Sequence, residues 1–481
     1  MKKFWIVLGS LALVAAFVMP AAAVDVKFSG EFYVAGDYYN RITPAYNVVD
    51  DEGRTSTAFF RQRLRIQTEF AVSPGLSLIT RFDALEKIWG DTAWNGTRGD
   101  SFGRPAGGPP VADGYDTIPT RVQENIEFEY AYIQYASGAP GIFFVGYIPW
   151  DFWGTTFGDS RRSSGGVMWV KPMGSWTIGA LYVKNWEGST TYKRPTLNRN
   201  DNDDNAYVGI VSYANDKIDA GMKVAYRRLA NNSYLNPWDD NYDGRLPPGK
   251  VSGWLLTPYF KGQFGPVKVQ GELEYFRGRI NGNPGWEDQD SDIRALAGYV
   301  DAQVAIGPAY VGGLFAYASG VDAAKAGPGK KLTGSNFSRD LDLSWGGRDF
   351  KPTLILWNED VYDWAGDVTW TGPGMKNAKL FQLYAGAAVK DFDFKVAIAH
   401  ARAVEKNTID GYMWRWGGSY RGQGSSYGWE LDGTVTYKIT NNLSYMVGAG
   451  YLWTGKFFEE KGYDDKAKNM YLFTNKLTLT F

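Results

Sequence analysis

Cysteine is absent from the sequence, and histidine occurs once, at His400, among 481 residues. Without cysteine the chain has no disulfide bonds and no thiolate metal site, so the fold must be closed in another way. An excess of charge of one sign is also missing, because 51 Lys and Arg balance 52 Asp and Glu to a net charge of -1. The overall charge therefore gives no indication of a nucleic acid or another polyanion as a partner.

Long hydrophobic runs are confined to the first residues. Two lysines precede an uninterrupted apolar stretch, the stretch ends at Pro20, and small residues up to Ala23 follow with the spacing of a cleavage site. This order predicts a secretory signal peptide over residues 1–23 and a mature domain over residues 24–481. No later window contains the roughly 18 apolar residues that a membrane-spanning helix requires, so helical membrane spans are excluded.

Aromatic residues make up 16% of the sequence, and glycine occurs 58 times. That combination is high for a water-soluble enzyme and typical of β-barrels with aromatic girdles at the membrane interfaces. Apolar and polar side chains also alternate in segments of about ten residues along the mature chain. In the last segment one face carries Leu477, Leu479 and Phe481, while Thr478 and Thr480 lie on the other. The period of two indicates strands.

Two kinds of connection alternate between these predicted strands. The short kind has the composition of tight turns, and its eight members are residues 73–75, 137–141, 171–175, 214–217, 265–266, 307–308, 389–392 and 440–442. The long kind is polar and rich in Gly, Asp and Asn, and its nine members are residues 41–57, 87–121, 150–165, 188–203, 230–250, 280–290, 320–375, 406–424 and 456–468. The alternation places all short turns at one end of the strands and all long loops at the other.

This sorting of connections predicts an all-β fold, a transmembrane antiparallel up-and-down β-barrel of about 18 strands with short periplasmic turns and long extracellular loops. A soluble β-sandwich does not sort its loops in this way, and a closed barrel has no exposed strand edges. Sixteen or twenty strands stay open, because the strands near Gly141 and Gly166 are short. Residues 353–371 also have the pattern of an extra hairpin.

The faces of single strands predict the orientation of the barrel wall. The first strand has Val26, Phe28 and Phe32 on one face and charged residues, Lys27 and Glu31 among them, on the other. Side chains cannot fill the interior of about 18 strands, so we expect the apolar face outside and a polar, water-filled lumen.

Charged residues on the second to fourth strands are candidates for the lining of this lumen. They are Arg61, Arg63, Arg65, Arg81, Glu127 and Glu129. Opposed rows of fixed charge would create a transverse field that orients dipolar solutes and filters ions. The alternative is that these residues neutralise each other in salt-bridged ladders within the wall.

The predicted signal peptide, the alternating strands, the sorted loops and the terminal Phe481 together resemble a Gram-negative outer-membrane porin of the general diffusion type. The resemblance covers the whole mature chain. It implies a homotrimer in contact with outer-membrane lipid and lipopolysaccharide. It also implies insertion by the barrel assembly machinery, which reads a C-terminal aromatic residue, here Phe481. In such porins the third long loop folds into the lumen and sets the size of the pore.

By position and composition the third long loop, residues 150–166, is similar to such a constriction loop, although it lacks the PEFGG signature of the general porins. Its candidate pore-lining charges are Asp151, Asp159, Arg161 and Arg162. Its aromatic residues, which are candidates for a path on which sugar rings slide, are Trp150, Phe152, Trp153 and Phe157. The alternatives are an ordinary solvated loop and aromatic residues that belong to the interfacial girdles.

An enzyme and a metal site are poorly supported. His400 shares the outward face of its strand with Val396 and Ile398, and a lipase-type nucleophile elbow is absent. The acidic run 201–205 resembles the start of a calcium loop, but Ala206 replaces the required glycine, which excludes an EF-hand. Loosely held divalent cations stay open. We therefore expect no catalytic residue, no cofactor and no nucleic-acid partner.

The function predicted from the sequence is passive diffusion of small hydrophilic solutes and ions across the outer membrane. One alternative is a channel that selects a sugar or an anion. Another is a scaffold barrel that sheathes a partner such as a multihaem cytochrome.

Overall fold

The computed structural model describes residues 24–41, 56–89, 126–136, 138, 140–150, 152–159, 163–187, 203–232, 249–281, 290–322, 324–325, 331, 333, 349–358, 374–408, 420–459, 461 and 466–481. The predicted signal peptide, residues 1–23, lies outside this part of the chain. Within the described residues no helix is long and apolar enough to cross a bilayer.

One antiparallel sheet of 18 strands forms the described fold. Its strands are β1 (Asp25–Tyr39), β2 (Thr57–Ser73), β3 (Leu76–Ile88), β4 (Ile126–Ala136), β5 (Ile142–Pro149), β6 (Ser163–Met173), β7 (Trp176–Trp186), β8 (Asp204–Ala214), β9 (Ile218–Asn232), β10 (Gly249–Phe264), β11 (Val267–Asn281), β12 (Ser291–Ile306), β13 (Ala309–Ala318), β14 (Ala378–Val389), β15 (Phe392–Ala403), β18 (Ser426–Lys438), β19 (Leu443–Thr454) and β20 (Met470–Thr480). Two short strands, β16 (Asn407–Thr408) and β17 (Tyr420–Arg421), pair with each other in the eighth long loop. A 3-10 helix covers Lys456–Phe458.

The sheet closes on itself between its first and last strands. β1 pairs with β2 on one side and with β20 on the other, where Glu31 lies opposite Thr480 and Tyr39 lies opposite Leu472. Every other barrel strand pairs with its neighbours in the chain order of the sheet. The prediction of an up-and-down barrel with about 18 strands is confirmed.

The sorting of connections is confirmed as well. Short turns join the strands at one end, for example between β10 and β11 and between β12 and β13, and long loops join them at the other end. The extra hairpin is not present in the described part of 353–371, because residues 353–358 form bends and turns without a strand. Residues 359–371 lie outside the described residues.

The orientation of the wall follows the predicted faces on most strands. On β18 the side chains of Trp429 and Leu431 are 49% and 40% exposed on the outer surface, whereas Glu430 and Asp432 are only 1% and 8% exposed. Apolar side chains therefore face outward and charged ones face the interior, which is the inverse of a soluble barrel.

The wall formed by β5–β8 departs from this rule. Ile148 and Val183 point inward and are completely buried, while Val145 and Tyr182 are exposed on the outer surface. Both faces of these strands are thus apolar, and the expectation of a polar lumen is wrong for this part of the wall. The sequences IFFVGYIP and TIGALYV are near-continuous apolar runs, which is the pattern of strands that are apolar on both faces.

Candidate functional site

The lumen is the candidate functional site, and a ladder of ion pairs crosses one side of its wall. Arg61 donates to Asp37 at 2.7 Å, and both side chains are buried. Arg65 forms two bonds of 2.7 Å to the carboxylate of Asp83, and it also contacts Glu129. We call these pairs, together with those of Arg63 and Arg81, the ion-pair ladder.

The remaining two arginines of the ladder, Arg63 and Arg81, also lie next to carboxylates. Arg63 lies within 3.6 Å of Glu31 and 3.9 Å of Glu86, and Arg81 contacts Glu129. Tyrosine rings extend the ladder, because the guanidinium carbon of Arg81 lies 4.5 Å from the ring centre of Tyr130. Such cation–π contacts stabilise a partly buried guanidinium.

The partners of these arginines lie on β1–β4, on the same wall as the arginines themselves. Within the described residues, each of these arginines therefore pairs with carboxylates of its own wall, as in the predicted alternative of salt-bridged ladders. Glu127 lies opposite Asp83 in the register and is exposed, whereas a bulge brings Glu129 to Arg65 and Arg81. The ladder carries both signs of charge in close pairs.

A segment of the third long loop, residues 152–159, folds inward and contacts the strands across the lumen. The Glu272 carboxylate on β11 accepts bonds from the backbone N–H of Thr155 at 2.8 Å and from its hydroxyl at 2.6 Å. Lys261 on β10 donates to the carbonyl oxygen of Gly154 at 2.9 Å. Gly154 has a φ of +63°, and a Cβ there would lie 2.6 Å from the ring of Tyr259. This third-loop segment is therefore fitted closely to the wall.

The aromatic residues of the third loop hold the segment in place. Phe157 is completely buried, and the indole N–H of Trp153 donates to the carbonyl oxygen of Thr257 at 2.9 Å. The indole N–H of Trp150 donates to the Ser164 hydroxyl at 3.2 Å. Among the four aromatic residues, only the side chain of Phe152 is exposed. The buried ring of Phe157 cannot meet a passing solute, whereas an aromatic path formed by the other three rings stays a prediction.

A second inward segment, residues 349–358 of the seventh long loop, was not anticipated from the sequence. Glu430 accepts bonds from the backbone N–H groups of Ile355 at 2.6 Å and Leu356 at 3.0 Å. Asp432 accepts the N–H of Leu354 at 3.1 Å. Two buried carboxyl groups of β18 therefore hold the seventh-loop segment by accepting its backbone N–H groups.

The two segments touch each other inside the barrel. The rings of Phe157 and Phe350 meet with their centres 4.9 Å apart, and each lies 5.1 Å from the ring of Tyr299 on β12. The backbone N–H of Asp349 also donates to the carbonyl oxygen of Asp159 at 3.5 Å. The segments thus cover the inner wall from β10 to β19, and the seventh-loop segment reaches the Arg61–Asp37 end of the ion-pair ladder.

A cavity of about 230 Å³ lies between the seventh-loop segment and the wall. Its charged lining consists of Arg61, Lys351, Lys395, Lys476, Asp37 and Asp432. Four cationic groups face two carboxylates, and one of these carboxylates, Asp37, is bonded to Arg61. The cavity therefore has an excess of positive charge.

Other predicted residues have different outcomes. Asp151, Arg161 and Arg162 lie outside the described residues, so their position in the pore stays a prediction. Asp159 accepts the N–H of Trp153 at 2.7 Å within the third-loop segment. His400 stacks at 4.5 Å on the outward ring of Trp429, as its face predicted.

The acidic run near β8 pairs with other side chains, because Asp204 binds Arg227 and Asp203 binds Lys184. In the described part of the chain, no cluster of three or more His, Asp or Glu could hold a metal ion.

Solved structures of outer-membrane porins, OccAB1 and OccK9 among them, are similar to this chain. OccAB1 of Acinetobacter baumannii matches with a TM-score of 0.52 and 10% identity, over 96% of this chain and 99% of that chain. OccK9 (OpdG) of Pseudomonas aeruginosa matches with a TM-score of 0.50 and 10% identity, over 95% of this chain and 99% of that chain. No protein-family model and no curated protein matches the sequence. At such low identity the similarity shows the fold, and the chain has the barrel fold of these porins.

Proposed function

We propose that the protein is an outer-membrane porin whose lumen allows passive diffusion of small hydrophilic solutes and ions. The observation that carries this proposal is the inverted wall, apolar outside and charged inside, around a closed sheet of 18 strands. Lipid would cover the outer face, and the ionic side chains would enclose water. Transport of this kind needs no cofactor and no catalytic residue.

Conductance in planar lipid bilayers tests the proposal. We expect stepwise insertion of open channels with a conductance that rises with the KCl concentration. The mature chain should also require detergent or lipid to stay monodisperse. A protein that stays monodisperse in detergent-free buffer and forms no channels would overturn the porin assignment.

A solute-selective channel is the second candidate, and the cavity beneath the seventh-loop segment favours an anion as its solute. Lys351, Lys395 and Lys476 bring positive charge to one cavity beside the lumen. Saturable block of the ion current by low millimolar benzoate, weakened in Lys395→Gln, would support selection of an anion. Equal currents with and without any added solute would favour the general pore.

We favour the porin over a scaffold barrel that sheathes a partner. A partner that crosses the barrel needs the lumen, and the third-loop and seventh-loop segments occupy part of it through buried anchors at Glu272 and Glu430. A sheath would also co-purify with its partner, so purification of the barrel alone in its channel-forming state supports the porin.

We further propose that residues 1–23 direct export and are removed, and that Phe481 is read by the barrel assembly machinery. The Phe481 ring lies over Gly30, where a Cβ would fall 2.8 Å from it, and the two residues exchange backbone hydrogen bonds. The mature N-terminus should be Val24 by mass spectrometry. Phe481→Ala should lower the yield of folded barrel in cells but not refolding in detergent. A homotrimer in contact with lipopolysaccharide completes the proposal, and native mass spectrometry tests the trimer.

A further inference from the structure

The outer wall of the barrel carries two arginines that lie directly opposite each other. Arg277 on β11 and Arg294 on β12 are partners in the register, and both are exposed. They point outward, because their strand neighbours Phe276 and Ile293 are buried on the inner face. We call Arg277 and Arg294 the outward arginine pair. Its two positive charges face the surroundings of the barrel and not the lumen.

Two like charges that lie opposite each other on one face of a sheet repel each other. In the part of the chain that the structure describes, neither Arg277 nor Arg294 forms a salt bridge. Arg279, two residues further along β11, does so, at 3.5 Å from Asp292 and 3.7 Å from Asp290. An anion bound between the two guanidinium groups of the pair would remove the repulsion. A phosphate suits this place, because its oxygens match the planar donors of arginine.

The height of the pair on the wall indicates where such an anion would come from. β11 begins at Val267 after a short turn, and Arg277 follows about ten residues later. At about 3.3 Å per residue and a strand tilt of about 40°, this is a height of roughly 25 Å, the same as that of the apolar band of an outer-membrane barrel. The pair therefore lies at the long-loop edge of the band, where the head groups of the outer leaflet begin.

Aromatic and apolar side chains flank the outward arginine pair. Trp254 on β10 lies opposite Arg277, is exposed, and has its ring centre 5.0 Å from that of Tyr226. One step toward the middle of the band, Tyr275 lies opposite Leu296, and the Leu296 side chain is exposed. A ligand at this place would contact cations at one end and an apolar surface at the other, which suits an anionic lipid.

Other cations lie at the same height on the outer wall. Lys379 on β14 and Arg402 on β15 are partners in the register, and both are exposed. Each lies about ten residues from the short turn that joins these two strands. Outward cations that recur at one level are expected where the wall passes through a layer of anionic head groups.

We propose that the outward arginine pair binds a phosphate group of an outer-leaflet glycolipid, the lipid A part of lipopolysaccharide. The phosphate lies between the guanidinium groups of Arg277 and Arg294, and the acyl chains cover Tyr275 and Leu296. This inference rests on the proposed porin function, which places the barrel in the outer membrane, and it assigns residues to the contact with lipopolysaccharide.

Native mass spectrometry of the barrel in detergent micelles with added lipid A tests the site. We expect Arg277→Gln with Arg294→Gln to carry one lipid A molecule fewer per chain than the wild type. Lys217→Gln with Lys438→Gln removes two exposed lysines at the short-turn end of the barrel and is the matched control. This control loses the same amount of charge and should carry as many lipid A molecules as the wild type.

Dephosphorylated lipid A, which keeps the sugars and the acyl chains, isolates the contribution of the phosphate. We expect the wild type to carry one molecule fewer of this form than of the phosphorylated form. Equal numbers of bound lipid A in the wild type and the double arginine variant overturn the site, and so does equal binding of the two lipids by the wild type.

Two further measurements separate the site from other roles. If the double arginine variant changes its oligomeric state and keeps its lipid A, the arginines belong to an interface between copies of the chain and the lipid site is overturned. Its channel conductance should equal that of the wild type, because both arginines lie outside the lumen. The porin function is tested by the conductance of the wild type, so a failure to bind lipid A leaves that proposal intact.

Discussion

Phe157 and Phe350 meet edge to face with their ring centres 4.9 Å apart, at the point where the two inward segments touch. Phe157 is completely buried although it belongs to a loop. Because Tyr299 of the wall packs against both rings, the contact joins the two segments to each other and to the barrel. The two segments that narrow the lumen therefore form one packed unit.

Phe157→Ala should loosen this unit. Removal of a fully buried phenylalanine ring typically costs about 3–5 kcal/mol of packing free energy, and here the loss acts on two loops that are each held by few anchors. We expect a larger and noisier single-channel conductance in KCl. Phe152→Ala, which truncates an exposed ring of the same segment, is the control and should leave the conductance unchanged. Wild-type conductance in Phe157→Ala would mean that the segments do not narrow the conducting path.

Glu430→Gln should release the seventh-loop segment alone. The carboxyl group accepts two backbone N–H groups, and such a hydrogen bond contributes about 0.5–1.5 kcal/mol. The amide of glutamine turns a donor toward one of these N–H groups and leaves it without an acceptor. We expect higher conductance and faster proteolysis near residue 356. Asp391→Asn in an exposed short turn removes one carboxylate elsewhere and serves as the control. An unchanged proteolysis rate would mean that Glu430 does not anchor the seventh-loop segment.

Arg65→Gln should make the channel more cation-selective. The variant leaves Asp83 and Glu129 with less positive charge beside the lumen, and one unit charge at about 8 Å in water is worth roughly 0.5 kcal/mol. Because the energy of a cation falls and that of an anion rises by this amount, the ratio of cation to anion permeability should change about fivefold, which the reversal potential in a KCl gradient measures. Arg65→Gln with Glu129→Gln restores the balance and should return the ratio toward the wild-type value. If the single variant keeps the wild-type reversal potential, ions do not pass near the ladder.

The order of the strands and the end of the barrel that carries the long loops could be predicted from the sequence, because both depend on local signals. Period-two alternation defines β18 and β20, and Gly-Pro turns such as Gly265 and Pro266 define the ends of hairpins. Closure between β1 and β20 then follows, since a barrel in lipid leaves no edge unpaired.

The interior of the barrel was less predictable because it depends on contacts between distant parts of the chain. The alternation along β18 places Glu430 and Asp432 on the inward polar face, but no local pattern shows that loop N–H groups 75 and 78 residues away bind to them. The alternation also places the three arginines of β2 on one face, while their pairing within the wall depends on the register with β1 and β3. The continuous apolar runs of β5 and β7 do indicate strands with two apolar faces, although the expectation of a polar lumen did not take them into account.

Carboxyl groups of the barrel bind the main chain of both inward segments. The bonded N–H groups are those of Thr155 in the third-loop segment and of Leu354, Ile355 and Leu356 in the seventh-loop segment. The main-chain bonds do not depend on the side chains that a segment exposes to the lumen, such as Phe152. Substitutions at such loop positions can change what the passage admits, while the carboxylates of the barrel continue to fix where the segment lies. The exposed side chains of the loops thus determine which solutes pass, and the carboxyl groups of the barrel determine where the loop segments lie.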